Sequence, residues 1–536
     1  MQNSLPKSGI LPPLVSLFAT VVAVGLLSPM IADAASRKAA KKSTAVARPT
    51  VASEAASKIA TITPIQAADS PLGDEVKGLV DAAVKSGLRS SELGLWVASV
   101  GSGPDHLVFE HNSEKSFIPA SLSKIPTGAA ALSLLPSAHK FKTVFAMDRA
   151  ALQTNQTVAG GVLKGPLYFV GGGDPSFVSE NLWFLVNELV RTGVKTIEGD
   201  LIVDDSLFDS IRYDGDRQEQ RVDRAYDAPI GALSFNWNSI TTWVRPGIAS
   251  GEPANVTLDV SSPFFELKNR VKTNGKSNGV SVERLRTDDA TKGEVVVASG
   301  AIGSGQPEKA YYKSIREPAL VAGHAAIVFL KQRGIEVKGT VRSGKAPDGV
   351  AIVATVESKP IQAVVADMLK WSNNYVAEML VKNLAASAEA PERPATMATG
   401  LKRVREWIEQ RAGLKAGEYE YVNAAGLTRV NRFSPKQLGQ MLLTVQHDFR
   451  VFPEFLAALP IGGTDGTLRS RMKNGTVGGG SIRAKTGLLD GVVGLAGFSG
   501  NVNGAIYSFV FIFNGPPSRE VAARALFDRI ADRLAN

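Results

Sequence analysis

PASLSKIPTGAAALSLL, residues 119–135, places a serine and a lysine at the head of an apolar segment with helical spacing. Pro119-Ala120 closes an extended stretch, and Ser121 and Lys124, three apart, share one helical face. A serine in a first helical turn sits among unpaired backbone N–H groups, in a locally positive field. It is a weak nucleophile until a neighbouring base takes its proton. A lysine partly buried by the apolar helix has its charged form disfavoured and can be that base. Ser-x-x-Lys alone is a common accident. Ser137 and Lys140 form a second copy, beyond Pro136 in a polar loop, which reads as a solvated pair. The weight falls on what the rest of the chain brings to Ser121.

The chain has 536 residues, 44% hydrophobic and 21% charged, enough for two or three cores. It contains no cysteine, which excludes a disulfide framework, a thiolate nucleophile and cysteine-ligated metal. Of the formal net charge of +9, seven positive and two negative residues before position 61 supply +5. The basic balance therefore belongs largely to the N-terminal segment and argues against nucleic acid as a partner.

Lys7, the apolar run Leu14–Leu27 and Ala32-Asp33-Ala34 together read as a secretory signal over 1–34, removed by cleavage and leaving no stable membrane span. Residues 35–70 are rich in Ala, Lys, Ser, Thr and Pro without apolar periodicity and read as a flexible basic linker. EVKGLVDAAVKSGL (75–88) is an amphipathic helix, and LGLWVASV (93–100) with HLVFEH (106–111) an antiparallel hairpin. From about 142 to 315 short β-like runs separated by Gly, Pro, Asn and Asp predict a mostly β insertion, with one helix near 181–193. Gly171-Gly172-Gly173-Asp174-Pro175 within it lacks the Gly-Lys-Ser/Thr end of a phosphate loop and reads as a tight turn. Helical pattern returns at 318–334, 361–371, 375–385, 399–413 and 434–447. SIRAKTGLLD, VVGLAGFSG and AIYSFVFIFNG follow as three antiparallel strands, and an amphipathic helix ends the chain. Residues 71–141 and 316–536 thus form one α+β domain interrupted by 142–315.

Three pieces fit the serine acyl-transfer set of Ser-x-x-Lys, Ser-x-Asn and Lys-Thr-Gly: Ser121/Lys124, Ser372/Asn374 and Lys485-Thr486-Gly487. Other S-x-N and K-S-G triplets occur, so context selects this trio. The first opens a helix, the second separates two helices, and the third lies on a strand. Ser121 Oγ would attack a peptide or lactam carbonyl, with Lys124 accepting its proton. Ser372 would relay a proton to the leaving amine in the field of Lys485. Asn374 would hydrogen-bond the substrate amide and help fix Lys124. Lys485 and Thr486 would hold a substrate carboxylate, and an extended substrate would pair with the strand through Gly487 and Leu488. The backbone N–H groups of Ser121 and Leu488 would form an oxyanion hole, each donor worth about 3–4 kcal/mol. The five histidines show no paired-ligand pattern, and no G-x-S-x-G elbow is present, so neither a metal nor a cofactor is required.

PASLSK, LYFVGGGDP, GDLIVDDSLF, APIGALSFNWN, SNNYVAEML, GTDGTLRSRM and AKTGLLDGVVGLAGF add further landmarks in order. With them, residues 75–536 resemble the low-molecular-mass penicillin-binding proteins that are D-alanyl-D-alanine carboxypeptidases and endopeptidases, the type with a large insertion after the Ser-x-x-Lys helix. The resemblance implies a penicilloyl-serine transferase (β-lactamase/transpeptidase-like) fold, an antiparallel sheet flanked by helices. It also implies an exported, periplasmic enzyme acting on peptidoglycan stem peptides, with β-lactams as covalent inhibitors. Two departures stand out. Asn423-Ala424-Ala425-Gly426-Leu427-Thr428-Arg429 replaces the family's D-G-S-G-L-S-R; Arg429 survives, and an arginine there meets the acidic end of a stem-peptide side chain. Leu488 replaces the hydroxyl residue after K-T-G, which removes a carboxylate contact. Asp204, Asp205 and Phe208 either reach the substrate from the insertion or form a capped turn. A β-lactamase, or a non-catalytic peptidoglycan-binding scaffold, are the competing readings; the insertion opposes the first and the intact motif residues oppose the second.

Overall fold

The computed structural model describes residues 66–67 and 70–536, apart from 102, 150–158, 214–222, 276–277, 286, 288, 389–392 and 473–478. The expected leader (1–34) and nearly all of the expected linker (35–70) lie outside them.

A six-stranded sheet runs in the order Gln66–Ala67, His106–His111, Leu93–Val100, Ile506–Asn514, Val492–Gly500, Ile482–Leu489. All its pairings are antiparallel except the first, where Gln66 runs parallel to His106. The two ends of the domain meet in its middle, Trp96 opposite Val510. Val492–Gly500 and Ile506–Asn514 read as near-continuous apolar runs because helices cover both sheet faces. The period of two sorts them: Phe509, Phe511 and Phe513 face one core, with Val76, Val80, Phe527 and Ile530. Val510 and Ile512 face the other, with Leu122, Ile125, Met368 and Met441. The first core holds the helices Pro71–Lys85 and Glu520–Ala535. The second holds Lys124–Leu134, Ile361–Trp371, Asn374–Ala386, Met397–Arg411 and Pro435–Gln446. A short helix, Phe452–Ala458, was not legible in the sequence because seven residues give too little periodicity.

The inserted segment has its own core, running from Phe145 to Ala354. A mixed five-stranded sheet orders Val341–Ser343, Leu201–Asp204, Leu167–Val170, Lys142–Met147 and Ala351–Glu357. Ser179–Arg191 and Pro318–Gln332 pack in the same core. Ser239–Arg245 centres one three-stranded sheet and Glu294–Gly303 another. The helix expected at 318–334 and the strand Ala351–Glu357 contribute to this same core. The apolar face of that helix specifies burial without saying which core receives it. Among the described residues no helix is long and apolar enough to cross a membrane.

Candidate active site

Three segments converge beside the edge strand Ile482–Leu489. Ser121 lies in a 3₁₀ turn, Ala120–Ser123, that leads into the α-helix at Lys124. The turn begins with Ala120 at φ 48°, a left-handed conformation that a non-glycine residue holds only when its surroundings enforce it. The enforcement is visible in glycines on both flanks. A Cβ on Gly426 would lie 1.9 Å from the Ala120 carbonyl oxygen, and one on Gly487 2.8 Å from that of Pro119. The helix that follows is buried from Lys124 through Ala131, so the lysine stem runs through core and its side chain is fully enclosed.

Ser372-Asn373-Asn374 divides two core helices, and each residue has a separate task. Ser372 ends Ile361–Trp371 in the left-handed region, φ 56°, with its N–H bonded to the Met368 carbonyl. Asn373 caps the next helix, its side chain accepting from Val376 N–H at 3.2 Å. Asn374, buried, turns inward at the first helical position.

Lys124 Nζ lies 3.2 Å from Ser121 Oγ, 2.8 Å from Asn374 Oδ1 and 2.5 Å from the Ala425 carbonyl. Nζ donates to all three; once deprotonated and still held by Asn374 and Ala425, the amine would offer its lone pair to Ser121. Lys485 Nζ donates to Ser372 Oγ at 2.9 Å and to the Thr486 carbonyl at 2.7 Å. Complete burial pushes Lys485 down from 10.5 to about 7. A cavity of about 700 Å³ opens on Ser121, Ser372, Asn374, Thr486, Gly487 and Leu488. The strand that borders it is the last of its sheet, so an extended ligand can pair with it.

The model of the D-Ala-D-Ala carboxypeptidase 3 (S13) family matches residues 76–536. The chain belongs to this family. It is a serine-type D-Ala-D-Ala carboxypeptidase, a low-molecular-mass penicillin-binding protein. It is 29% identical over 476 residues to the D-alanyl-D-alanine carboxypeptidase of an Actinomadura species, covering 86% of this chain and 84% of that one. It is 25% identical to the carboxypeptidase DacB of Haemophilus influenzae, covering 77% and 83%. The crystal structure of penicillin binding protein 4 from Haemophilus influenzae shares the fold, with a TM-score of 0.68 at 23% identity over 85% of this chain and 98% of that one. The expected fold class stands.

The carboxypeptidase brings Ser121, Lys124, Ser372, Asn374 and Lys485 together. Thr486, Leu488 and Arg429 line the same cavity. The Thr486 hydroxyl donates to Thr467 at 2.8 Å. The Leu488 side chain is 54% exposed. Arg429 is anchored on the Asp490 carbonyl at the cavity mouth. Asp204 and Asp205 do not reach the cavity. Asp204 accepts from the N–H groups of Ser206 and Ala346, and Asp205 from Leu233 N–H while pairing with Arg212. Phe208 is core, 3% exposed. The capped-turn reading describes all three. Lys140 of the second Ser-x-x-Lys pairs with Glu357 instead.

Sequence reasoning missed three contributors. The Ala425 carbonyl, touching Lys124, carries no side-chain signal. It is aimed by Asn423, whose Oδ1 accepts the N–H groups of Ala425, Gly426 and Leu427 at 3.1, 2.7 and 3.1 Å. The family's aspartate is thus replaced by an acceptor of the same shape, and Asn-x-x-Gly was the available sign of that turn. Thr467, from GTDGTLRSRM, meets Thr486. Tyr226 arrives from the insertion, its carbonyl accepting from Asn374 Nδ2 at 3.1 Å.

Proposed function

We propose that Ser121 is the nucleophile of an exported, periplasmic D,D-peptidase acting on peptidoglycan stem peptides, with Lys124 as its base. Ser121 Oγ adds to the D-Ala carbonyl carbon as its proton passes to Lys124. The C–N bond breaks, and the departing nitrogen takes a proton from the Ser372 hydroxyl, which Lys485 holds in place; the proton on Lys124 replaces it and leaves Lys124 neutral. Water then attacks the ester, its proton going to Lys124 and returning to Ser121 Oγ. Asn374 holds the substrate amide, Thr486 and Lys485 the terminal carboxylate, and Gly487 with Leu488 the extended backbone. Arg429, at the mouth, meets an acidic end on the stem-peptide side chain. β-Lactams enter as substrate mimics and stop at the acyl-enzyme. The open strand edge and the absent hydroxyl at Leu488 also suit a cross-link substrate without a free carboxylate, so the same site serves as a D,D-endopeptidase. We take the inserted unit as residues 142–357, since its sheet and core extend that far.

The observation that carries the reading is two serine–lysine contacts, 3.2 and 2.9 Å, with Asn374 holding Lys124 and both serines on one cavity. Brief exposure to benzylpenicillin, followed by mass spectrometry, tests it. The expected result is a lasting adduct on the Ser121 peptide that is absent in Ser121→Ala. Intact penicillin with no adduct would sink the acyl-transfer mechanism; hydrolysed penicillin with no adduct would make the protein a β-lactamase.

A further inference from the structure

Tyr226, Ser372 and Asn374 border a second cavity as well, of about 850 Å³. It forms where the insertion meets the head of the Ser-Asn-Asn loop. Its lining is unlike a core. Tyr226, Trp237, Tyr312 and Trp371 remain 46, 42, 57 and 58% exposed along it. Glu180 and Asp259 stand among them.

Trp237 is displayed there by a strained turn. Asn236, Trp237 and Asn238 have φ of 48, 53 and 51°, three left-handed residues in a row. Asparagine tolerates that region, but for Trp237 it costs roughly 1–2 kcal/mol. Two side-chain amides hold the turn. Asn236 Oδ1 accepts from Ser179 N–H at 3.0 Å, and its Nδ2 donates to Ser179 Oγ at 3.1 Å. Fully buried Asn238 donates to the Pro229 carbonyl and to Ser234 Oγ, both at 2.8 Å, and accepts from Phe235 N–H at 3.1 Å. A buried network that over-determines a strained turn, and leaves the tryptophan at its centre wet, serves a ligand rather than a core.

We propose that this second cavity binds the N-acetylhexosamine strand from which the stem peptide hangs. A pyranose ring offers a flat C–H face to aromatic rings and a rim of hydroxyl and amide groups to carboxylates. The lining supplies both partners. Charge also favours a neutral ligand. Among the described lining residues Lys359 is the cation, and it is paired with Asp367 at 2.8 Å, so Glu180 and Asp259 face an incoming ligand and would repel a carboxylate-rich peptide. The shared border with the first cavity lets one ligand lay its peptide at Ser121 and its sugar against Trp237. In this the proposal rests on the acyl-transfer reading above.

The test uses the full chain, with Trp237→Ala and Tyr312→Ala beside it. Substrates are a free stem pentapeptide, the same peptide on an N-acetylhexosamine tetrasaccharide, and a sugar-free cross-linked peptide dimer. In the wild type the sugar is expected to raise kcat/KM about tenfold, the equivalent of about 1.4 kcal/mol. Either variant should lose that gain while keeping wild-type acylation by benzylpenicillin and wild-type turnover of the free peptide. Peptide-free tetrasaccharide should quench wild-type tryptophan fluorescence, and not that of Trp237→Ala. Three results overturn the proposal: no gain from the sugar, a gain that survives in both variants, or an equal gain from the sugar-free dimer, which would make this a second-peptide site. Failure of benzylpenicillin to acylate the wild type would instead remove the reading on which the proposal rests.

Discussion

The site holds two serine–lysine pairs, and their differences are more instructive than their likeness. Both lysines are fully buried. Lys124 reaches Ser121 from three residues away, and its contacts include a side-chain amide oxygen and a backbone carbonyl. Lys485 reaches Ser372 across 113 residues of sequence, from a strand to a helix end. The local pair joins a 3₁₀ turn to the helix that follows it, and neighbouring segments only trim its geometry. The distant pair exists only when sheet and helices are docked. We propose that the first pair starts the reaction and the second binds the carboxylate and finishes proton transfer.

Lys124→Ala should break this comparison most severely. Benzylpenicillin acylation is expected to fall about 10⁴-fold or more, as for loss of a base that activates a serine, with the thermal midpoint showing that the fold persists. An acylation rate within tenfold of wild type would move the base elsewhere.

Lys485 gives the next effect, and its sign follows from burial. With its pKa lowered to about 7, the ammonium that would hold a substrate carboxylate is present below that pH and lost above it. Thus kcat/KM for a D-Ala-D-Ala peptide should fall by up to tenfold per pH unit above about 7, a limb belonging to the free enzyme. The C-terminally amidated peptide should lack the limb, and Lys485→Arg should abolish it because guanidinium stays charged. Stability carries the mirror image. The native state binds fewer protons than the unfolded chain between about 7 and 10.5, so unfolding free energy should rise with pH across that window. A flat rate profile through pH 9 would assign the carboxylate to another cation.

Asn423 sharpens the comparison on the Lys124 side. Asn423→Ala frees three backbone N–H groups and the Ala425 carbonyl they aim, and should slow acylation roughly 10–100-fold while lowering stability by about 1–3 kcal/mol. Asn423→Asp keeps the acceptor and should stay within about twofold of wild type. Equal damage from both substitutions would show that the amide, not its shape, matters.

Much of this was legible in the sequence. The K-T-G strand, the helix after Ser121 and the S-N-N break each carry residue types that local geometry demands. So did the sheet's buried centre, whose continuous apolar runs announce coverage on both faces. What escaped is what sequence pattern cannot encode. The Ala425 and Tyr226 carbonyls act through backbone, which every residue owns. The apolar face of Pro318–Gln332 specifies burial but no destination. Asp204 and Asp205 looked chemical because acidic pairs do, yet backbone N–H groups absorb them.

The pairing of Leu93–Val100 with Ile506–Asn514 has a consequence in time. The nucleophile is made early in synthesis, but the strand carrying Lys485 takes its place only against a neighbour that pairs in turn with the N-terminal hairpin. A chain still lacking its last few dozen residues therefore owns Ser121 and Lys124 without a second lysine or a ledge for substrate. Reactivity arrives with the final strands, and a truncated chain is born harmless.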